Sequence, residues 1–223
     1  MTEIIPAIIP ENLSIVRERF GKVLNLVKKV QIDAIDGNYA PTKTWPFNDN
    51  QFEEMRRIVE GEEKFPYIDD FLLEIDMLVF HPIEYLSDFI SVGTKSFVIH
   101  IDSTDHMEEC LKTIKDAGCQ AGLGIRPSGD ISFLESFLPE ADFVQFMGND
   151  RVGYNGVDLD ENVLDKIKNF HKRHSSVPIQ IDIGVDEETI PKLKNAGVSS
   201  FISGSAIFNA PDTKEALLKL QSL

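Results

Sequence analysis

Apolar positions along this chain follow two different periodicities. Short runs dominated by apolar residues, such as residues 4–9 and 120–125, have the length and composition of buried strands. The segments between these runs repeat apolar residues at helical spacing instead. The first such segment opens after Pro10, and its apolar positions are Leu13, Val16, Phe20, Val23 and Leu26. The two patterns alternate, which predicts strands and helices in regular succession.

Eight strand–helix units follow one another without a linker, a short-period repeat or a low-complexity segment. The predicted strands cover residues 4–9, 29–35, 71–79, 96–102, 120–125, 141–147, 178–185 and 200–203. Helices after the first are predicted at residues 50–60, 82–90, 107–117, 130–138, 159–171, 187–196 and 213–220. Eight units in 223 residues predict one α/β domain over residues 1–223, a closed (β/α)8 or TIM barrel. A doubly wound open sheet is the alternative, disfavoured because no glycine-rich dinucleotide turn follows the first strand.

Several predicted strands carry polar residues on one face, although both faces of a barrel strand are dry. Parity assigns these residues to the barrel interior: Gln31, Asp33, Glu74, Asp76, His100, Asp102, Gln145, Met147, Gln180 and Asp182. Four of the acids lie near the carboxyl ends of their strands, where this fold has its active sites. Carboxylates at one depth repel, so they need a metal, a shared proton or a cationic substrate group. The alternative is that each acid caps a loop, and that His100 is a packed, hydrogen-bonded core residue.

Glycine turns at neighbouring strand ends predict a phosphate site. The last strand turns into a helix start at Gly204 and Ser205, and Gly184 follows the seventh strand. Backbone N–H groups at such turns bind phosphate, and this fold often holds phosphate after strands seven and eight. The candidate phosphate-binding residues are Gly153, Asn155, Gly156, Gly184, Gly204 and Ser205. Arg126 and Lys43 are the strand-end cations that we expect to assist.

The net charge of −15 disfavours nucleic acid and anionic membranes as partners, because no basic stripe is present to neutralise phosphates. Cys110 and Cys119 are too few for a disulfide framework, and we expect reduced thiols. The chain shows no signal peptide and no transmembrane span, so we expect a cytoplasmic protein. A small phosphorylated molecule is the expected ligand, and a homo-oligomer is compatible with the sequence.

Taken in order, four motifs resemble the ribulose-phosphate 3-epimerase family over nearly the whole chain. Residues 31–42 read Gln-Ile-Asp-Ala-Ile-Asp-Gly-Asn-Tyr-Ala-Pro-Thr, where the family carries His-x-Asp-x-Met-Asp-Gly-x-Phe-Val-Pro-Asn. Residues 74–79, Glu-Ile-Asp-Met-Leu-Val, are similar to Asp-Val-His-Leu-Met-Val. Residues 181–185, Ile-Asp-Ile-Gly-Val, are similar to Val-Asp-Gly-Gly-Val, and residues 203–208, Ser-Gly-Ser-Ala-Ile-Phe, to Ala-Gly-Ser-Ala-Val-Phe.

The resemblance implies a ribulose-phosphate-binding barrel and an isomerase that interconverts D-ribulose 5-phosphate and D-xylulose 5-phosphate at C3. By position, the resemblance assigns the acid/base pair to Asp33 and Asp182. It also implies a divalent metal, which the family holds with two histidines and these two aspartates. Here Gln31 and Asp76 replace the histidines, so the implied ligands are Gln31, Asp33, Asp76 and Asp182.

The altered metal shell has two consequences. An all-oxygen set suits Mg²⁺ or Mn²⁺ better than Zn²⁺, and a metal-free site is the alternative. Three aspartates and a divalent ion sum to −1, which opposes an enediolate and raises carboxylate pKa values. Two other functions therefore stay open: a non-catalytic phosphosugar-binding barrel, and a decarboxylase or aldolase. The last usually needs an inward strand lysine, whereas the lysines here fall on helices, loops or strand edges.

Overall fold

The computed structural model describes residues 1–49 and 51–223. Eight parallel strands close into a barrel in chain order, and the first strand pairs with the last. The strands are β1 Glu3–Ile8, β2 Lys29–Ile35, β3 Leu72–Leu78, β4 Ser96–His100, β5 Gln120–Ile125, β6 Phe143–Met147, β7 Ile179–Asp182 and β8 Ser200–Ser203. The predicted (β/α)8 barrel is confirmed, and the open-sheet alternative is wrong.

Helices surround the barrel and follow the strands in alternation. They are α1 Leu13–Val23, α2 Gln51–Val59, α3 Ile83–Val92, α4 Met107–Asp116, α5 Ile131–Glu135, α6 Asn162–Arg173, α7 Ile190–Ala196, α8 Ser205–Phe208 and α9 Thr213–Gln221. The predicted helix over residues 130–138 is shorter than expected and is followed by a 3-10 turn, Leu138–Glu140. Residue 50, where the second helix was predicted to begin, lies outside the described residues.

Local sequence explains where these helices begin and end. The Asn12 side chain accepts a hydrogen bond from the Ile15 backbone N–H at 3.2 Å, which caps the start of α1. Gly93 and Gly197 end α3 and α7 in the left-handed conformation, which costs glycine little. Phe52, in the first turn of α2, is 49% exposed, and its ring packs against Phe47 of the preceding loop.

The main core lies between the outer face of the barrel and the helices. The strand residues that parity assigned to this layer are fully buried, and they are Ile32, Ile75, Ile99, Phe146 and Ile181. They belong to one large apolar cluster with the inward faces of the helices. The alternation of outward apolar and inward polar residues therefore persists along the strands, as the period of two requires.

The amino-terminal end of the barrel interior holds a buried ion pair. Glu74 is fully buried and lies 2.5 Å from the Lys29 ammonium. Ser96 and Gln180 donate further hydrogen bonds to the same carboxylate. Lys29 is the first residue of β2, so its Cα lies about 13 Å along the strand from that of Asp33, toward the end of the barrel opposite the expected active site. Lys29 neutralises Glu74 there.

Candidate active site

A cavity of about 320 Å³ opens at the carboxyl ends of the strands. The loops after β6, β7 and β8 and the ends of β1 and β2 form its walls. Asp33 and Asp182 both line it. So do all six residues predicted to bind phosphate, which are Gly153, Asn155, Gly156, Gly184, Gly204 and Ser205. The structure therefore brings the predicted acid/base pair and the glycine turns into one cavity.

Close backbone approaches explain two of the glycines. Gly184 has a φ of +71°, and a Cβ on it would lie 2.5 Å from the Leu159 backbone nitrogen. A Cβ on Gly204 would lie 2.9 Å from the Ala7 carbonyl oxygen. The third turn is anchored by Thr42, whose hydroxyl donates to the Gly153 carbonyl at 2.7 Å. Side chains are thus excluded at Gly184 and Gly204, where the backbone itself borders the cavity.

Three aspartates meet beside these turns. Asp33 and Asp76 are cross-strand neighbours on β2 and β3, and Asp182 ends β7. One carboxylate oxygen from each lies within 4.8 Å of the other two. Asp33 is 6% exposed, Asp76 is fully buried, and Asp182 is half-buried. Little solvent reaches these oxygens, so their negative charges interact strongly.

This crowding raises the pKa of the two carboxyls that face the cavity. Burial raises the pKa of Asp33 well above its usual range, and the charges of Asp182 and Asp76 add to that effect. Burial, followed by the charge of Asp76, raises the pKa of Asp182 to about 8. Two interacting acids of this kind titrate as a pair, so one of them holds a proton near neutral pH.

Asp76 is held from inside the barrel by two donors. His100 Nε2 lies 2.7 Å from Asp76 Oδ1, and Gln145 Nε2 donates to Asp76 Oδ2 at 2.8 Å. A carboxylate only accepts hydrogen bonds, so this ring nitrogen of His100 carries the proton. Gly124 makes room for the ring, since a Cβ there would lie 2.7 Å from His100 atoms. The interpretation of His100 as a packed, hydrogen-bonded residue agrees with these contacts.

The residues around this cluster fit a hard divalent cation. Gln31 is fully buried, and its Nε2 donates to Asp33 Oδ1 at 3.1 Å. Within the described part of the chain, its Oε1 is buried without a hydrogen-bond partner. An amide oxygen without a hydrogen-bond partner and three crowded carboxyl groups are the kind of oxygen ligands that a hard divalent cation prefers. His100 Nε2 is already bonded to Asp76, so oxygen atoms dominate the cluster and the set matches Mg²⁺ or Mn²⁺ better than Zn²⁺.

Asp102 lies outside the cluster, although parity grouped it with the other acids. β4 ends at His100, two residues earlier than predicted, and the chain turns through a Ser103 N–H bond to the His100 carbonyl. The Asp102 side chain is 51% exposed and accepts a hydrogen bond from the Tyr39 hydroxyl at 2.6 Å. The turn therefore directs this carboxylate away from Asp33 and Asp182.

The two expected helper cations also lie away from the cavity. Arg126 stacks 4.2 Å above the Tyr39 ring and donates to the Tyr39 hydroxyl at 3.1 Å. Lys43 packs its alkyl chain beside Gly37, where a Cβ would lie 2.8 Å away. Neither residue lines the cavity. Arg126 and Tyr39 are 87 residues apart, so no local pattern signalled their contact.

The structure also shows cavity residues that sequence reasoning missed. Ile9, Tyr154, Asp158, Ile183 and Asp186 all line the cavity. The sequence held a signal for Ile183, because it stands where the corresponding motif of the resembled family has glycine.

Across the described residues, no helix combines the length and apolar character that crossing a membrane requires.

Sequence comparisons agree with the geometry. The ribulose-phosphate 3 epimerase family matches residues 3–208. A ribulose-phosphate 3-epimerase of Chlamydia pneumoniae is 29% identical over 189 residues, which cover 81% of this chain and 76% of the relative. One of Bacillus subtilis (strain 168) is 26% identical over 222 residues, covering 93% and 96%. The predicted isomerase class is thus the one to which these relatives belong.

Solved structures support the fold. A ligand complex of KGPDC from Streptococcus mutans is 14% identical and has a TM-score of 0.73 over 99% of this chain and 96% of that one. A 3-hexulose-6-phosphate synthase is 18% identical, with a TM-score of 0.67 over 99% and 98%. At these identities the likeness concerns the barrel alone. The sequence match over residues 3–208 goes further: this chain belongs to the ribulose-phosphate 3-epimerase family.

Proposed function

We propose that this protein is an isomerase that interconverts ketopentose 5-phosphates at C3 through an enediolate. The observation that carries the proposal is the shared cavity of Asp33, Asp182 and the glycine turns. The two aspartates come from β2 and β7, which lie on different sides of the barrel axis. One carboxylate can therefore face each side of a carbon bound between them, which is what inversion at that carbon requires.

Proton transfer in this proposal uses one ionised and one protonated aspartate. In one direction the Asp33 carboxylate removes the C3 proton, and the C–H electron pair forms the C2–C3 double bond while the carbonyl oxygen becomes negative. Asp182 then delivers its proton to the opposite face of C3 as the carbonyl re-forms. The reverse reaction exchanges the two roles. The raised pKa values of both carboxyls support this pairing, because a catalytic acid must hold its proton near neutral pH.

Phosphate in this proposal lies at the glycine turns of Gly184, Gly204 and residues 153–156. Backbone N–H dipoles bind an anion without the help of lysine or arginine side chains. They can therefore hold phosphate even in a protein with a net charge of −15. Holding the phosphate also fixes the distance from the anion to the reacting carbon. Positioning of this kind lowers the activation barrier, because the bound substrate has already lost the translational and rotational freedom that reactants in solution must still lose.

A divalent cation, Mg²⁺ or Mn²⁺, would be held by Gln31, Asp33, Asp76 and Asp182. When bound, it supplies positive charge for the negative charge that develops on the substrate oxygens. His100 and Gln145 hold Asp76 in place and distribute part of its charge into the barrel interior. Those two hydrogen bonds offset the extra negative charge that Asp76 brings to the shell.

A decarboxylase or aldolase is less well supported. Such chemistry usually needs an inward lysine at the site, and no lysine is among the described residues that line the cavity. Lys29 is the inward lysine of β2, and it is committed to Glu74 at the opposite end of the barrel. A non-catalytic sugar-phosphate barrel would keep the glycine turns, but it gives no role to two cavity-facing carboxyls with raised pKa values.

Exchange of the C3 proton tests the proposal directly. NMR follows ribulose 5-phosphate in D₂O with added Mg²⁺ or Mn²⁺, and we expect exchange together with formation of xylulose 5-phosphate. Asp33→Asn and Asp182→Asn should each lower epimerisation by about 10²–10⁴-fold, the usual worth of a general acid or base. Either variant can still exchange the proton of one epimer without converting it.

Asp102→Asn is the matched control, because it changes a strand-end aspartate outside the cavity, and it should epimerise at the wild-type rate. If the wild type neither exchanges nor epimerises with either metal, the isomerase is refuted and the binding barrel takes its place. Wild-type rates in both site variants would also refute it.

A further inference from the structure

Ile183 adopts a backbone conformation that its own side chain disfavours. Its φ is +75°, and among the non-glycine residues described with positive φ it is the β-branched one. A branched Cβ crowds the backbone in the left-handed region, so this is an uncommon and strained feature. Strain of this kind persists only where the surrounding structure imposes it, and it concentrates at functional sites.

Close contacts fix the backbone on both sides of Ile183. Its N–H donates to Asp182 Oδ1 at 2.8 Å. A Cβ on Gly148 would collide with the Ile183 carbonyl oxygen, and one on Gly184 would lie 2.5 Å from the Leu159 backbone nitrogen. The backbone at residues 183 and 184 thus runs between the segments of Gly148 and Leu159, which restrict its conformation. Glycine would adopt this conformation without strain, so the presence of an isoleucine side chain at this position requires a separate explanation.

The position of that side chain supplies the reason. Ile183 and Ile9 both line the active-site cavity, and both pack against an apolar cluster in the barrel mouth. The buried members of that cluster are Ile35, Tyr39, Ala40, Leu78, Met147 and Val152. None of these six lines the cavity. Ile9 and Ile183 therefore form a wall, here called the isoleucine wall, between the cavity and the cluster.

We propose that Ile183 is a specificity-determining residue that limits how long a phosphorylated sugar chain this cavity accepts. The inference rests on the proposed function, which places phosphate at the glycine turns and C3 between Asp33 and Asp182. The carbons beyond C3 must then fit in what remains of about 320 Å³, the small end of the range for ligand sites. The isoleucine wall excludes a further hydroxymethylene group by size and offers it no hydrogen bond. A five-carbon chain fits, and a six-carbon chain does not.

Open-chain polyol phosphates test this size limit without any reaction, because they have no carbonyl group. Calorimetry compares arabinitol 5-phosphate with glucitol 6-phosphate, which is one hydroxymethylene group longer. We expect the wild type to bind the pentitol phosphate at least about tenfold more tightly, within the usual discrimination by one carbon. In Ile183→Gly the ratio should fall to about threefold or less on the same reasoning, with inorganic phosphate bound as in the wild type.

Thermal unfolding supplies a second readout that ligand binding does not affect. Ile183→Ala keeps a Cβ in the left-handed conformation, whereas Ile183→Gly removes it, so the glycine variant should melt at the higher temperature. At most positions the order is the reverse, because glycine gains more freedom on unfolding. The pair of variants removes nearly the same packing, so the difference reports the backbone strain.

Four results would overturn the inference. They are equal binding of the two polyol phosphates by the wild type, an unchanged ratio in Ile183→Gly, a higher melting temperature for Ile183→Ala than for Ile183→Gly, and a wild type that does not bind the pentitol phosphate. Failure of the proposed isomerase has a different signature, since a protein that selects the pentitol phosphate but never exchanges the C3 proton supports the wall and refutes the reaction.

Discussion

Asp76 shows at the scale of single residues how a changed ligand is accommodated. An aspartate stands where the family resemblance implies a metal-binding histidine, and His100 and Gln145 hold both of its oxygens from the barrel side. Hydrogen bonds that reach a metal ligand from behind orient it and leave its remaining lone pairs directed at the ion. In the proposed metal site, the replacement would keep an ordered ligand and change the preference of the site from a softer to a harder metal.

The first prediction at this scale concerns metal affinity. Asp76→Ala should weaken Mn²⁺ binding by about 10-fold or more, because it removes a charged oxygen ligand from the shell. Electron paramagnetic resonance of free Mn²⁺ measures the dissociation constant, and Asp102→Ala is the matched control that should bind as the wild type does. Stoichiometric Zn²⁺ that survives Asp76→Ala would show that the oxygen-ligand argument is wrong.

At the scale of secondary-structure elements, hydrogen bonds from a lysine side chain connect α6 to the loop after β5. Lys166 on α6 donates to the carbonyl oxygens of Arg126, Pro127 and Gly129 in the loop after β5. Burial lowers the pKa of Lys166, yet the three carbonyls use all the donors of its ammonium. This residue therefore secures the loop from which Arg126 reaches Tyr39.

Removing that anchor should loosen the loop more than it destabilises the fold. Lys166→Met is expected to cost about 1.5–3 kcal/mol of unfolding free energy, the range for hydrogen bonds to a charged group. Hydrogen exchange should rise in residues 126–129, as measured by mass spectrometry. Lys168→Met, on the same helix but 53% exposed, should change neither quantity. Equal effects in the two variants would show that Lys166 does not anchor the loop.

At the scale of the whole molecule, the buried aspartates at the carboxyl end of the barrel make the stability of the fold depend on pH. Unfolded aspartates titrate near pH 3.9, but the folded protein holds their protons longer, since the pKa of Asp182 is about 8 and that of Asp33 is also raised. Between those values the folded state binds more protons than the unfolded state. Stability therefore falls as pH rises from about 4 to 8, and the fall is complete above the folded pKa.

Metal-free protein should show this slope in thermal unfolding. We expect the melting temperature to fall by about 2–8 °C between pH 5.5 and 8.5, the shift that roughly 1–2 kcal/mol produces in a chain of this size. Asp182→Asn removes one titrating group and should flatten the slope, while Asp102→Asn should keep it. A wild-type melting temperature that is constant over this range, or an unchanged slope in Asp182→Asn, would contradict the raised pKa values.

Local sequence patterns were enough to predict the barrel and the faces of its strands. Strand and helix periodicities are local properties, so eight alternating units predicted the closed sheet, and a period of two placed Asp33, Asp76 and Asp182 inside it. The glycine turns could be predicted in the same way, because Gly184 and Gly204 stand at strand ends that the same periodicity defines. All these features depend on residues close together in the chain, so the sequence pattern was enough to predict them.

Which polar residues contact one another depends on packing between distant segments, and no local pattern predicted it. Asp102 lies outside the aspartate cluster because β4 ends at His100, and this boundary is set by hydrogen bonds to neighbouring strands rather than by local pattern. Arg126 contacts Tyr39 and not the phosphate turns, although the two residues are 87 positions apart in the chain. The left-handed φ of Ile183 occurs where its own carbonyl approaches Gly148 closely and the next residue, Gly184, approaches Leu159, and no pattern around residue 183 encodes these approaches. Such contacts join segments distant in sequence, so packing rather than periodicity selects them.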